Sequence, residues 1–320
     1  MKLCWLCLCL LFTHPLWANT IDSLKTDSEV LRFITKLYQV KYDDHFYTFS
    51  FKQKDTADAD WVCDSIVASW PIKNWEKIDF NQDGLTDLFA IVFQQSKYGS
   101  GSYSIYTVFD KGGNQFDLKE LPETVMPFCH AAMPIYINER PLLLYRYYEQ
   151  KYVLDTAINE KVFGGHDVHY YQVGFTDTLI YKYGGFIEMN TKPRSNKAIA
   201  SIFYESEICY GNCPVFKMNI FSDGRASYMA EMFNDTVGIF AGKILPAQLN
   251  EIWGLMEYIN IPSLKSHYEV TSLHRSSCSI SIFFTDGTFK QINDYGMQGT
   301  LGLARLYDLI VDLRKSQTWK

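Results

Sequence analysis

The stretch Cys209-Tyr210-Gly211-Asn212-Cys213-Pro214 constrains this chain more than any other. Two cysteines four residues apart around a glycine can close only a tight loop, and the proline after them has no N–H to give to a helix or a central strand. A hairpin pattern comes next: 217–221, the turn Ser222-Asp223-Gly224, then 225–232. A strand precedes the motif at 198–205, and 237–243 adds a further one. Pro246 suits the first turn of a helix with Leu249, Ile252, Trp253, Met256 and Ile259 as its apolar stripe. Residues 279–284 and 288–293 form a second hairpin around Asp286-Gly287, and a closing helix buries Leu303, Leu306, Tyr307 and Ile310. The order read here is β-β-β-α-β-β-α, an α+β domain with antiparallel hairpins over 194–320.

The first half, 19–193, reads as a separate, strand-rich α+β domain, divided from the second by the polar stretch Asn190 to Asn196. Thr26 or Asp27 caps a helix through Tyr38, with Val30, Phe33, Ile34 and Leu37 on one face. Strands are expected at 45–52, 65–70, 88–93, 141–148 and 177–189, with a hairpin joining 103–110 to 115–121 across Lys111-Gly-Gly-Asn114. Aromatic side chains make up 16% of the chain, which favours strands because flat rings pack well on pleated surfaces.

Residues 1–18 have the pattern of a signal peptide: Lys2, the apolar run Leu3 to Phe12, and Ala18 as a cleavage position. That run is shorter than the roughly 20 apolar residues a membrane span needs, and no other stretch is long and apolar enough. A secreted or periplasmic protein is expected. The mature chain then keeps Cys63, Cys129, Cys209, Cys213 and Cys278, which in an oxidising compartment are disulfide candidates first and metal ligands second.

Between Asp79 and Asp87 oxygen side chains recur at Asp79, Asn81, Asp83 and Asp87, with Gly84 placed for a sharp turn and the Leu85 carbonyl available. A hard cation such as Ca2+ takes six to eight oxygens, and alternate residues of a tight loop can supply them. The stretch resembles the Asp-x-Asn-x-Asp-Gly-x-x-Asp calcium loops of extracellular repeat families, which implies a structural Ca2+. It lacks the Glu of an EF-hand, with Ala90 in that place, and a strand follows instead of a helix. The bland alternative is a polar Asp-Gly turn without an ion. His166 and His169 stand three apart in a strand, on opposite faces, and so cannot share a metal.

Residues 199–319 resemble a domain-of-unknown-function family of secreted bacterial proteins. The resemblance is carried by Cys209, Gly211, Cys213 and Pro214, the two Asp-Gly hairpins, Pro246, Asp294-Tyr295 and Trp319. It implies architecture and compartment but no chemistry, and Cys278 departs from it. Three readings of Cys209 and Cys213 stand side by side. One is a short disulfide worth about 2 kcal/mol, with Cys63–Cys129 as a longer one worth about 4 kcal/mol. The second is thiol redox chemistry, against which the spacing and the following strand speak. The third is a copper site, since thiolates select Cu(I), with His267 or His274 as a further ligand.

No serine-nucleophile elbow, phosphate-cradling loop or zinc-protease motif is present, so a non-catalytic binding or envelope-associated module is the favoured function, with a protein or glycan partner. The net charge of −6, without clustered Lys and Arg, argues against nucleic acid.

Overall fold

The computed structural model describes residues 20–51, 70–99, 101–122, 129–154, 168–192, 197–270 and 275–320. The leader, most of the strand read at 65–70, Cys63, His166, Pro193 and His274 lie outside those residues.

After a short turn of helix, α1 (Thr20–Ser23), comes α2 (Asp27–Tyr42). Thr26 caps α2 by accepting the Glu29 N–H, and the Glu29 carboxylate reaches back to the Thr26 N–H at 2.9 Å. The helix runs past Tyr38 to a left-handed Asp43. Its Val30, Ile34 and Tyr38 press on a five-stranded antiparallel sheet of β1 (Tyr47–Ser50), β2 (Trp75–Ile78), β3 (Asp87–Ser96), β4 (Gly101–Asp110) and β5 (Phe116–Leu121). Strands β3 and β4 are apolar on both faces: Leu88, Val92 and Tyr106 meet α2, while Phe89, Ile105 and Phe109 point the other way.

The second face is covered by a four-stranded sheet, β6 (Cys129–Ile137), β7 (Arg140–Leu154), β8 (Val168–Lys182) and β9 (Gly185–Glu188). Leu143, Tyr145, Leu179 and Phe186 pack toward the first sheet, whereas Leu142, Ile180 and Ile187 join the core of the second half of the chain. This sheet is a middle layer. Pleating sends alternate side chains to opposite faces, so one strand serves both cores.

The third sheet has seven strands: β10 (Ile199–Ser206), β11 (Phe216–Phe221), β12 (Arg225–Ala230), β13 (Gly238–Lys243), β14 (His267–Glu269), β15 (Ser277–Phe284) and β16 (Phe289–Tyr295). Their order is β13-β12-β11-β10-β15-β16-β14, antiparallel except for β14 beside β16. Helices α3 (Pro246–Tyr258) and α4 (Leu301–Ser316) cover one face, bringing Ile252, Leu255, Met256, Leu306, Tyr307 and Ile310 onto it. Each such buried side chain contributes about 1.5–3 kcal/mol.

The observed order differs from the one read in the sequence. Four strands precede α3, the fourth being the one read at 237–243 and left out of the β-β-β-α-β-β-α order, and three follow it, because His267–Glu269 adds a short parallel strand that was not read. The molecule is rich in strand with few helices, an α+β to mainly β architecture.

Candidate functional site

The loop from Asp79 to Asp87 joins β2 to β3, whose first pair is Ile78 with Asp87. Asp79 accepts the Asp83 and Gly84 N–H groups at 3.1 and 3.0 Å, which draws the loop around its carboxylate. The Asn81 side-chain oxygen accepts the Asp83 N–H, its amide donates to Asp83 Oδ2 at 2.8 Å, and Asp83 Oδ1 accepts the Leu85 N–H at 2.8 Å. Gly84 has φ +84°, a conformation that glycine adopts without strain. Asp87 lies beneath, fully buried, accepting the Phe80 and Asp110 N–H groups at 3.0 and 3.1 Å. Burial pushes its carboxyl up to about 7, the charges of Asp83 and Asp79 add to this, and its two N–H partners oppose it.

Asp79, Asn81 and Asp83 therefore share one side of the loop, and Asp87 is turned toward the sheet. Among the described residues no group of three or more His, Cys, Asp or Glu is arranged to hold a metal. The chemistry of the donors still suits a hard cation: each carboxylate oxygen of Asp79 accepts one N–H and retains a second lone pair.

Cys209 and Cys213 are joined in a disulfide with their Cα atoms 5.8 Å apart. Gly211 between them has φ +150° and donates its N–H to the Cys209 carbonyl. Cys213 Sγ lies 3.1 Å from Ser276 Oγ, beside the start of β15. Strand β11 comes after the motif, not a helix, so the pair does not stand at a helix N-terminus, where the dipole would lower a thiolate pKa. His267 sits on the outer strand β14, 3.4 Å from Glu269, and His274 is outside the described residues. Cys129 stands at the start of β6, and the pairing expected for it involves Cys63, also outside them. Cys278 is a free, buried thiol in β15, pushed up to about 12 mainly by burial and then by the charge of Asp294.

The other residues singled out in the sequence are turn and joint residues. In both Asp-Gly hairpins the aspartate accepts the N–H two residues on: Asp223 from Arg225 at 3.0 Å, Asp286 from Thr288 at 2.9 Å. Asp294 is buried and accepts the Gln298 and Gly299 N–H groups and the Tyr307 hydroxyl, which fixes the connection into α4. Trp319 packs on Gly242 and Tyr228 and donates its indole N–H to the end of α4.

One surface feature is not legible in the sequence. The face of the seven-stranded sheet away from α3 and α4 carries no covering element among the described residues. One row across it runs Ser227, Asn219, Phe203, Ser281, Gln291. Phe221, Phe283 and Phe289 stand exposed on the same face, the last two stacked 6.2 Å apart. At one corner Met229, Met232, Phe233, Val237 and Ile239 line a shallow, almost wholly apolar groove. Period-two alternation gives the strands in sequence, but not which of their two faces stays bare.

No curated protein and no solved structure matches this chain. Residues 200–314, from β10 into α4, match the model of a domain of unknown function (DUF6438), so the second half of the chain carries such a domain.

Proposed function

We propose that this chain is a non-catalytic binding module that works outside the cytoplasm, as a secreted or periplasmic protein, and engages a protein or glycan partner through the bare face of its seven-stranded sheet. One observation carries the reading: that face combines exposed Phe221, Phe283 and Phe289 with a row of hydroxyl and amide side chains, and no helix among the described residues lies over it. Exposed aromatics beside convergent polar groups are what partner surfaces enrich and what ordinary solvated faces avoid. The disulfide holds the loop between β10 and β11, and so fixes one end of the face.

Calcium enters this reading as a structural ion. Asp79, Asn81, Asp83 and the Leu85 carbonyl would hold it at the turn from β2 to β3, while Asp87, expected from the sequence as a further ligand, is turned toward the sheet beneath them. Its support is three carboxylates within nine residues, whose mutual repulsion a divalent cation would offset.

Site-specific photo-crosslinking in the producing host tests the binding face. A crosslinking side chain at Ser281 is expected to give an adduct of defined mass, and the same group at Gln248 on α3 is not. Adducts at Gln248 but not at Ser281 would overturn the assignment, and absence of any adduct from Ser281, Asn219 and Gln291 would do so too.

A further inference from the structure

We propose that the groove between α3 and α4 binds a short apolar peptide with both ends free, its ammonium group between Glu251 and Asp312 and its carboxylate at Arg305. The site lies on the helices that cover the other face of the seven-stranded sheet, and so goes beyond the binding-face reading.

The two helices run antiparallel. Gln248, in the first turn of α3, hydrogen-bonds Ser316 and Gln317 at the end of α4, whereas Ile259, just past the end of α3, lies against Gly302 in the first turn of α4. One turn inward from the Gln248–Ser316 contact, Glu251 and Ile252 therefore stand level with Asp312 and Leu313. Arg305, Leu309, Asp312 and Ser316 recur at i, i+4, i+7 and i+11, a single stripe along α4. Between that stripe and α3 lies a groove of about 450 Å3, a size that suits a small ligand. Its floor is apolar: Ile252 and Leu313 are buried, and Leu309 is half-buried.

Both ends of the groove are held in place by hydrogen bonds. At one end Gln248 donates its amide to Ser316 Oγ at 3.0 Å and accepts from the Gln317 amide. At the other, Arg305 Nε donates to the Tyr183 carbonyl at 2.6 Å, which holds the guanidinium over Gly184. Walls fixed in this way lower the entropic cost of binding.

Charge selects the occupant. Of the charged residues on the two helices, Arg314 is turned to Asn234, Asp308 lines a neighbouring cleft with Lys119, where both are partnered, and Glu257 is exposed outside the groove. Glu251, Arg305, Asp312 and Lys315 line the groove itself. Glu251 and Asp312 stand level on opposite helices, and neither makes an ion pair or a side-chain hydrogen bond with any described residue; nor does Lys315, one turn beyond Asp312. With two carboxylates against one ammonium that end is negative, and a bound ammonium group would relieve the repulsion between the carboxylates. The other end is positive, since Lys182, over the Tyr183 and Tyr258 rings, adds to Arg305.

The spacing sets the length of the occupant. Arg305 and Asp312 are seven residues apart on α4, about 10 Å along the helix axis. An extended chain covers about 3.3–3.6 Å per residue, so a tripeptide places its two termini at the two charged ends, with its middle side chain over Leu309. A single amino acid is too short to reach both.

A ligand-observed NMR titration of the full chain with Ala-Leu-Ala, both ends free, tests the assignment. Saturable binding is expected with Kd about 1 mM or below, weakening as salt is raised. N-acetyl-Ala-Leu-Ala and Ala-Leu-Ala-amide, each lacking one terminal charge, should bind about threefold to fivefold more weakly. Asp312→Asn, at an exposed position, and Glu251→Gln should each weaken the free tripeptide by a similar factor and leave the acetylated one unchanged, a pattern that loss of the fold would not produce. Equal affinity for the free and acetylated peptides, equal affinity of wild type and both variants for the free one, or no binding at about 10 mM peptide would overturn the proposal. A peptide this small, captured by a crosslinker at Gln248, would be told from a protein or glycan partner by its mass. Crosslinks at Ser281 report on the other face of the sheet, so the two readings stand or fall separately.

Discussion

At the scale of single residues, His130 carries the clearest consequence. It is buried in β6, its Nε2 donates to the Tyr103 carbonyl at 3.1 Å, and its Nδ1 lies 3.2 Å from the Tyr145 hydroxyl, which then serves as donor. Both ring nitrogens are used in the neutral form, and burial lowers the pKa from 6.5 to about 4. Between those values the unfolded chain binds a proton and the folded chain does not, so stability rises with pH across the window. Resistance to denaturant is therefore expected to fall progressively from about pH 6.5 toward pH 4, and His130→Gln should flatten that slope while lowering stability at pH 7. A slope unchanged in the variant would assign the acid sensitivity elsewhere. Nothing in the sequence around His130 marks it, because its partners lie on β4 and β7 and come together only in the fold. Cys209 and Cys213 are legible for the opposite reason: their partner is local.

At the scale of elements, legibility follows the turns. Each Asp-Gly hairpin can be read in advance, since the aspartate side chain and the permissive glycine act within four residues. The pattern of 177–189 reads as one strand, but the chain divides there into β8 and β9 at Tyr183-Gly184, where both φ values are positive, 53° and 73°. A tyrosine in that conformation is strained, and it is held there by bonds from outside the hairpin: Arg305 Nε donates to the Tyr183 carbonyl, and the Tyr183 hydroxyl donates to the Gly254 carbonyl. Sequence gives no hint of a turn imposed from elsewhere. The β2–β3 loop is the element on which the calcium proposal depends, and its nine residues are legible as a unit because every donor is local. Calorimetric titration with Ca2+ should show binding at one site per chain, and chelator should lower the thermal midpoint by several degrees, about the effect of 1–2 kcal/mol. Asp83→Asn should abolish the chelator's effect. If instead wild type and variant melt alike with and without chelator, the loop is an ion-free Asp-Gly turn.

At the scale of the whole molecule, the question is where one folding unit ends. Composition and the polar stretch at 190–196 suggest a division there. The middle sheet complicates it, since Leu142, Ile180 and Ile187 are buried in the same core as Ile202, Leu255 and Leu306. Polar joints reinforce that packing: the Glu188 carboxylate accepts the Leu301 and Gly302 N–H groups at 2.6 and 2.9 Å at the start of α4, where the helix dipole favours an anion. The Tyr258 hydroxyl accepts the Asn190 N–H at 3.0 Å, bringing the end of α3 against the same region. A fragment of residues 194–320 would leave its side of this joint facing water, including the uncapped α4 N–H groups. Removing three buried aliphatic side chains and a buried carboxylate cap costs several kcal/mol, comparable with the whole stability of a small domain. That fragment is expected to bind a hydrophobic dye and to melt well below the intact chain, whereas a fragment beginning at 129, which restores Leu142, Ile180, Ile187 and Glu188 but bares Leu143, Tyr145, Leu179 and Phe186, should melt above it and still below the intact chain. Were 194–320 to melt cooperatively at the temperature of the whole chain, the middle sheet would be a passenger on an autonomous domain. The expected result would make that sheet the element through which the β2–β3 loop, on one side, and the bare face of the seven-stranded sheet, on the other, share a single stability.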